Sequence, residues 1–154
     1  MKIFLGADHR GYTLKEHLVS HLMAISGQQV ADFGALNYDA EDDYNDFAKA
    51  VSKAVLSSDA PDSFGILICG SAQGMCMQAN RFKGIRAALC DSTEDAITAR
   101  QHNNANILCL PANEYNSEDP ESLSKFIEIA KTFLETPALS DEKYQRRNQK
   151  LDED

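Results

Sequence analysis

Three short polar segments carry side chains able to do chemistry. Asp8-His9-Arg10-Gly11 gathers a carboxylate, an imidazole and a guanidinium. Cys69-Gly70-Ser71-Ala72-Gln73-Gly74 opens on a thiol and continues through small residues. Arg100-Gln101-His102-Asn103-Asn104 adds a second imidazole beside two amides. The Cys69 segment says most. Its glycines permit close backbone approach, and successive amide N–H groups where a helix begins hold an anion or an oxyanion. A thiol at such a place is expected to have its pKa lowered by the same dipole.

Taken singly, each residue has a plainer reading. A strand-end cysteine is more often a small buried hydrophobe, the class to which Cys76, Cys90 and Cys109 are assigned. A lone histidine is usually a surface or hydrogen-bonding group, and Asp8 suits a turn cap. His17 and His21 lie four apart on a helix, a spacing compatible with metal but more usual on a solvated face. It is the co-occurrence of the three segments that points to a site. Rival phosphate motifs fail by position. A Cys-x5-Arg loop needs arginine where Met75 stands, and no Gly-Lys-Ser/Thr closes a P-loop. Gly6-Ala7-Asp8-His9-Arg10-Gly11 lacks the middle glycine of a dinucleotide fingerprint. A receiver domain would need Asp and Lys where Cys69 and Pro111 stand.

The elements that position these segments alternate. Ile3-Phe4-Leu5 reads as a buried strand ending in Gly6. Leu14, Leu18 and Leu22 mark a helix, with Thr13 as its expected cap and Gly27 as its end. Val30 to Phe33 reads as a second strand, and Asn37 to Asp43 as a polar loop. Tyr44, Phe47, Ala48, Val51 and Val55 mark a second helix. Gly65-Ile66-Leu67-Ile68-Cys69 is apolar on both faces, the pattern of a central parallel strand. A short helix over about Met75–Phe82, a strand over Ile85–Cys90 and a helix from Ser92 to about His102 follow. Ser92 and Asp95 form the expected capping box. Asn106–Leu110 is a fifth strand, and Pro120 opens a last long helix. The alternation predicts an α/β fold: one domain, a five-stranded parallel sheet, helices on both faces. Residues 1–139 form the domain, and 140–154 a charged tail that is either solvated or laid on a partner subunit. The carboxyl ends of such strands are where ligands bind, which favours the segments at Asp8 and Cys69.

Composition sets limits. The chain has 154 residues, 43% hydrophobic and 25% charged, with formal net charge −9. A balance this acidic argues against a nucleic-acid partner and requires any phosphate site to be built locally from a few cations. No apolar run approaches a membrane span, and Met1 runs straight into a strand, so no leader is expected. Four cysteines without a C-x-x-C pair fit neither common zinc spacings nor a disulfide framework, and suggest a reduced, cytoplasmic protein.

Five segments in order resemble the ribose-5-phosphate isomerase B and galactose-6-phosphate isomerase family. They are Gly6-Ala7-Asp8-His9-Arg10-Gly11-Tyr12, Asp43-Tyr44, Gly65-Ile66-Leu67-Ile68-Cys69-Gly70-Ser71, Gly84-Ile85-Arg86-Ala87-Ala88-Leu89-Cys90, and Arg100-Gln101-His102-Asn103 followed by Asn106. The resemblance spans Met1 to about Arg147. It implies a Rossmann-like domain and a homodimer, often a dimer of dimers, with each active site shared between two subunits. It implies aldose–ketose interconversion of a sugar phosphate without metal or other cofactor. Cys69 matches the base, Ser71 the hydroxyl beside it, and His102 with Asp8 the groups that open the furanose. Asn103 and the amides of the Gly70–Gly74 loop match the enediolate holders, Tyr44 a substrate contact, and His9 a phosphate ligand. Chemically, ring opening needs an acid and a base, the C1–C2 proton shift needs a base, and the enediolate needs fixed donors.

Two stretches depart from the family pattern. Asn113 stands where relatives carry an arginine after strand five. Glu142-Lys143-Tyr144-Gln145-Arg146-Arg147 replaces Gly-Arg-His-x-x-Arg, keeping Arg147 and exchanging the first arginine for Lys143. Lysine supplies charge without a bidentate fork, so a rearranged phosphate site is expected, with Arg10 or Arg146 as recruits. The alternatives to a pentose-phosphate isomerase are a hexose 6-phosphate isomerase and a non-catalytic sugar-phosphate-binding protein. The retained Cys69, Ser71, His102 and Asp8 argue against the last.

Overall fold

The computed structural model describes residues 1–25 and 27–153. Their elements alternate as β1 (Lys2–Ala7), α1 (Tyr12–Met23), β2 (Gln29–Asp32), α2 (Tyr44–Ser57), β3 (Ser63–Cys69), α3 (Gln73–Ala79), β4 (Ala87–Leu89), α4 (Thr93–Asn103), β5 (Ile107–Pro111), α5 (Pro120–Glu135) and α6 (Glu142–Lys150). A 3-10 turn, Ala112–Glu114, follows β5. The five strands form one parallel sheet in the order β2-β1-β3-β5-β4.

The central strands are apolar on both faces because both faces are covered. Ile66 and Ile68 of β3 and Leu108 and Leu110 of β5 pack with Leu14 and Leu18 of α1 and Phe126 and Phe133 of α5. The residues between them, Leu67, Cys69, Ile107 and Cys109, pack with Val51 and Val55 of α2 and Met75 and Ala79 of α3. The period-2 alternation therefore sorts one core from the other. Lys15 is fully buried on α1, and its ammonium pairs with Asp32 at the end of β2 and with Glu16. That cation is committed to holding α1 on the sheet.

Element boundaries moved where local chemistry overrode pattern. α1 begins at Tyr12 behind Gly11, so Thr13 lies inside the first turn and caps nothing. α1 ends at Met23, and Gly27 instead serves the turn into β2 with φ +85°. β4 is shorter than Ile85–Cys90 because Arg86 N–H and Asn106 Nδ2–H are taken by side-chain-to-backbone bonds with Asn106 and Gly84. At α4 the Ser92 hydroxyl accepts the Asp95 N–H at 3.1 Å, as its sequence predicts. α5 is capped by Asp119, which accepts the Glu121 N–H at 3.0 Å ahead of Pro120. The charged tail is a helix, α6, laid against α4 of its own chain: Asn148 Nδ2 donates to the His102 carbonyl at 3.3 Å, and Asp152 accepts the Gly84 N–H at 2.7 Å. No helix of the described residues is long and apolar enough to cross a membrane.

Candidate functional site

β2 lies on one side of β1 and β3 on the other, so the connections diverge at the carboxyl ends of β1 and β3. A crevice opens at such a switch point. Asp8 follows β1 there, and Cys69 ends β3. Asp8 is 5% exposed. Its Oδ1 accepts the Arg10 N–H at 2.9 Å and the Gly11 N–H at 3.1 Å, while its own N–H reaches the Ile68 carbonyl at 3.3 Å. The turn sits hard against β3: a Cβ on Gly11 would lie 2.4 Å from the Ile68 carbonyl oxygen. Only glycine permits that approach. Burial raises the Asp8 pKa above its ordinary 3.8, against the lowering by the Gly11 and Arg10 amides. Asp8 is thus a turn cap whose carboxyl burial holds above its ordinary pKa.

Cys69 is 5% exposed on the face shared with Met75. Burial raises its thiol pKa above the ordinary 9.0; the Met75 amide pulls the other way, the Asp8 charge raises it further, and the Ala72 and Ser71 amides oppose again. The amide effect expected from the loop is present, but desolvation outweighs it, so the thiol is raised rather than lowered. The loop's left-handed residue is Ala72, at φ 60° and ψ −8°, a conformation costing an alanine roughly 1–2 kcal/mol. It turns the chain so that the amides entering α3 face the end of β3. Gly70 and Gly74 serve close approach instead. A Cβ at Gly74 would lie 2.6 Å from the Tyr44 ring, and one at Gly70 would lie 3.0 Å from Asn113 Oδ1. Ser71 is exposed beside the thiol, its hydroxyl accepting the Gln73 N–H at 3.4 Å. Tyr44 is thereby brought onto the loop.

Basic side chains at this edge come from the β1 turn. His9 Nδ1 meets Asp42 Oδ1 at 2.7 Å. Arg10 Nη2 donates to Asn113 Oδ1 at 2.6 Å, and Asn113 N–H donates to the Gly70 carbonyl at 2.8 Å. The Arg10 guanidinium therefore occupies the corner where Asn113 stands. Cys76 belongs elsewhere. Its thiol faces β4, donating to the Ala87 carbonyl at 3.3 Å, and a hydrogen bond with Cys109 lowers its pKa to about 7 despite burial. The Cys76 thiol therefore faces β4, whereas Cys69 lies at the end of β3 near Asp8. Of the histidine pair on α1, His17 contacts the Tyr115 hydroxyl, and His21 is exposed.

The remaining expected residues form a second cluster. α4 runs back to the amino edge of the sheet, leaving His102 and Asn103 just before β5. β5 pairs Ile107 with Gly65 and reaches Cys69 only at Pro111; four strand steps are roughly 13 Å. The Tyr144 ring stacks on His102, with centroids 4.5 Å apart and planes at 10°. Lys143 and Arg147, one turn apart on α6, are exposed beside it. One chain therefore unites Asp8, His9, Tyr44, Cys69, Gly70, Ser71 and Gly74, and separately unites His102, Asn103, Lys143 and Arg147. The first cluster has a carboxyl, a thiol and the amides that open α3; the second has an imidazole, Lys143 over the Tyr144 ring and an exposed Arg147. Asp42, the Arg10–Asn113 contact and the Tyr144–His102 stack were not foreseen from the sequence. Asp42 was masked by the acidic, turn-rich loop around it.

A family model for Ribose/Galactose Isomerase matches residues 3–151. The chain is 37% identical over 147 residues to ribose-5-phosphate isomerase B of Mycolicibacterium paratuberculosis, covering 96% of this chain and 87% of that one. It is 48% identical over 108 residues to a probable ribose-5-phosphate isomerase B of Mycoplasma genitalium, covering 70% of each. Among solved structures, a ribose 5-phosphate isomerase from Thermotoga maritima superposes with TM-score 0.87 at 42% identity, covering 99% of this chain and 98% of that one. Ribose-5-phosphate isomerase B from Mycoplasma genitalium, with bound ribulose-5-phosphate, superposes with TM-score 0.85 at 40% identity, covering 98% and 93%.

Proposed function

Because the chain belongs to the ribose/galactose isomerase family, we propose that it is an aldose–ketose isomerase that interconverts ribose 5-phosphate and ribulose 5-phosphate. The observation that carries the mechanism is a buried thiol at the end of the central strand, beside a buried carboxyl and under the amides that open α3. Asp8 and His102 exchange protons at the anomeric hydroxyl and the ring oxygen, so that the furanose opens. Cys69, as thiolate, takes the C2 proton of the open aldose and delivers it to C1, while the C2 hydroxyl gives up its proton and O1 gains one, so that the carbonyl ends at C2. The enediolate between those steps is held by the Ser71, Ala72 and Met75 amides and by Asn103. Ser71 and Tyr44 line the sugar, and His9, Arg10, Lys143 and Arg147 hold the phosphate.

His102, Asn103, Lys143 and Arg147 are supplied by a second copy of the chain, since within one copy they lie at the opposite edge of the sheet from Cys69. Their cations offset the Asp8 charge that raises the thiol. The pentose is favoured by the relatives, which carry that name, and by the neighbour that binds ribulose-5-phosphate. Four free thiols support a reducing, cytoplasmic setting. The test is an isomerase assay over pentose 5-phosphates and hexose 6-phosphates with a coupled readout of ketose. Preference for ribose 5-phosphate supports the assignment; preference for a hexose 6-phosphate makes this a hexose-phosphate isomerase, and turnover of none makes it a binding protein.

A further inference from the structure

The acidic loop between β2 and α2 faces outward at Leu36 to Glu41 and again at Asp43, yet Asp42 turns in. Its side chain is 10% exposed. One oxygen, Oδ1, accepts both the His9 backbone N–H at 3.0 Å and, at 2.7 Å, the Nδ1–H of the His9 ring. The other, Oδ2, is buried with no hydrogen-bond partner among the described residues. Burying a carboxylate in this way is costly unless it is paired. It is also an odd choice beside a site that must hold an anion in a chain of net charge −9.

The placement makes sense through His9. A carboxylate on Nδ1 fixes the ring's orientation, favours its protonated form and leaves Nε2 as its free end. The Tyr38 ring meets the His9 ring edge-on, with centroids 6.3 Å apart, so the imidazole is held on two sides while remaining 25% exposed.

We propose that Asp42 is a positioning residue for the anion subsite, holding His9 by Nδ1 so that the protonated ring, which carries N–H on both nitrogens, donates Nε2–H to the substrate's phosphate. The dyad rests on the reading of His9 as a phosphate ligand, and it adds a residue to that site. A plain structural role predicts something different: Asp42 would only tether the loop to the β1 turn, and its removal would act independently of His9.

The experiment is a double-mutant cycle of Asp42→Ala and His9→Ala in the full-length protein. It reads KM and kcat for ribose 5-phosphate, the inhibition constant of inorganic phosphate, and the thermal midpoint. Asp42→Asn joins the set because an amide oxygen can keep both hydrogen bonds without the charge. Asp42→Ala should raise KM and the phosphate inhibition constant about tenfold, with kcat within about threefold, the pattern of a lost ground-state contact. Asp42→Asn should recover part of that loss. In the His9→Ala background Asp42→Ala should add less than about twofold, since the two act as one unit. In 15N-resolved NMR the hydrogen-bonded Nδ1–H signal of His9 should be present in wild type and absent in Asp42→Ala. Equal Asp42→Ala effects in both backgrounds, or an unchanged KM while His9→Ala raises it, overturn the dyad alone. A silent His9→Ala overturns the phosphate reading of His9 and the dyad with it.

Discussion

Asp8 caps the β1 turn and, in the proposed mechanism, also moves a proton; substitution separates the two roles. Its Oδ1 accepts two amide hydrogens, at 2.9 and 3.1 Å, in a turn that cannot relax because Gly11 is pressed on the Ile68 carbonyl. Asp8→Ala strands both donors. At about 1–3 kcal/mol per unsatisfied buried group, less some relief from deleting a desolvated charge, the net loss is about 2–4 kcal/mol, or roughly 5–15 °C in Tm for a chain of this size. Asp8→Asn keeps an acceptor oxygen and removes the charge, so it should fold at least as stably as wild type at pH 7. The pH dependence has a definite sign. The folded pKa of Asp8 is raised above its ordinary 3.8, so its contribution to stability is full below about that value and lost as pH rises through the folded one. Asp8→Asn escapes that loss and should gain on wild type between about pH 4 and pH 7. Urea unfolding at both pH values, at fixed protomer concentration, measures the difference. If the carboxyl also moves a proton in ring opening, both variants lose about 10²–10⁴ in kcat. Wild-type kcat in Asp8→Asn would reduce Asp8 to a turn cap and refute its acid–base role.

Other perturbations test the remaining groups. Cys69→Ala should abolish turnover while binding of substrate by calorimetry persists, whereas Cys76→Ala, facing β4, should change kcat by less than about threefold; the reverse order of effects would move the base to Cys76. His102→Asn should slow a cyclic sugar phosphate far more than an acyclic analogue that cannot close, and equal losses on both would leave His102 a positioning role only. Asn113→Arg alone should weaken binding by setting a second guanidinium against Arg10, while Arg10→Ala raises KM about tenfold, the order of one charge-assisted hydrogen bond. Arg10→Ala combined with Asn113→Arg should then recover most of the loss, because what counts is a guanidinium in that corner. No recovery would mean that Arg10 acts elsewhere.

The β1, β3 and β5 runs were legible because a strand buried on both faces needs continuous apolar side chains, and the core-facing stripes of α2 and α5 were legible for the matching reason. β3 also announced the Cys69 loop, since so apolar a run ending in Cys-Gly-Ser-Ala can only exit at the top of a sheet. α6 was not legible as a helix, because Glu142 to Lys150 has almost no apolar stripe; it is held by the Tyr144–His102 stack and by side-chain bonds to α4 and Gly84. Ala72 hid its left-handed backbone behind an ordinary side chain, while the flanking glycines supply the close approach that the sequence suggested. The sign of the Cys69 shift was also out of reach: loop amides and desolvation oppose each other, and only the folded burial decides which prevails. Asp42 was invisible because one aspartate among Asp39, Glu41 and Asp43 turns inward, a matter of loop path that local sequence does not encode.

The two clusters sit at opposite edges of one sheet, and this makes a quantitative demand on any active assembly. A site using Cys69 from one copy and His102 and Arg147 from another is complete only across a contact between copies. A twofold contact is isologous, so it creates two such sites at once. Neither variant Cys69→Ala nor His102→Asn should turn over the cyclic substrate alone. Mixed and allowed to exchange subunits, they should regain activity. A heterodimer has one site with both lesions and one with none. With random pairing, about half the dimers are heterodimers, and so about a quarter of wild-type activity should return. At substrate levels too low for Arg147→Ala sites to bind, the same arithmetic holds for Cys69→Ala with Arg147→Ala, if the α6 cations reach across. A mixture that stays inactive after exchange, verified by differently tagged subunits captured together, would show that each chain completes its own site. α6 would then have to move from its place on α4, against the stack that holds Tyr144 on His102.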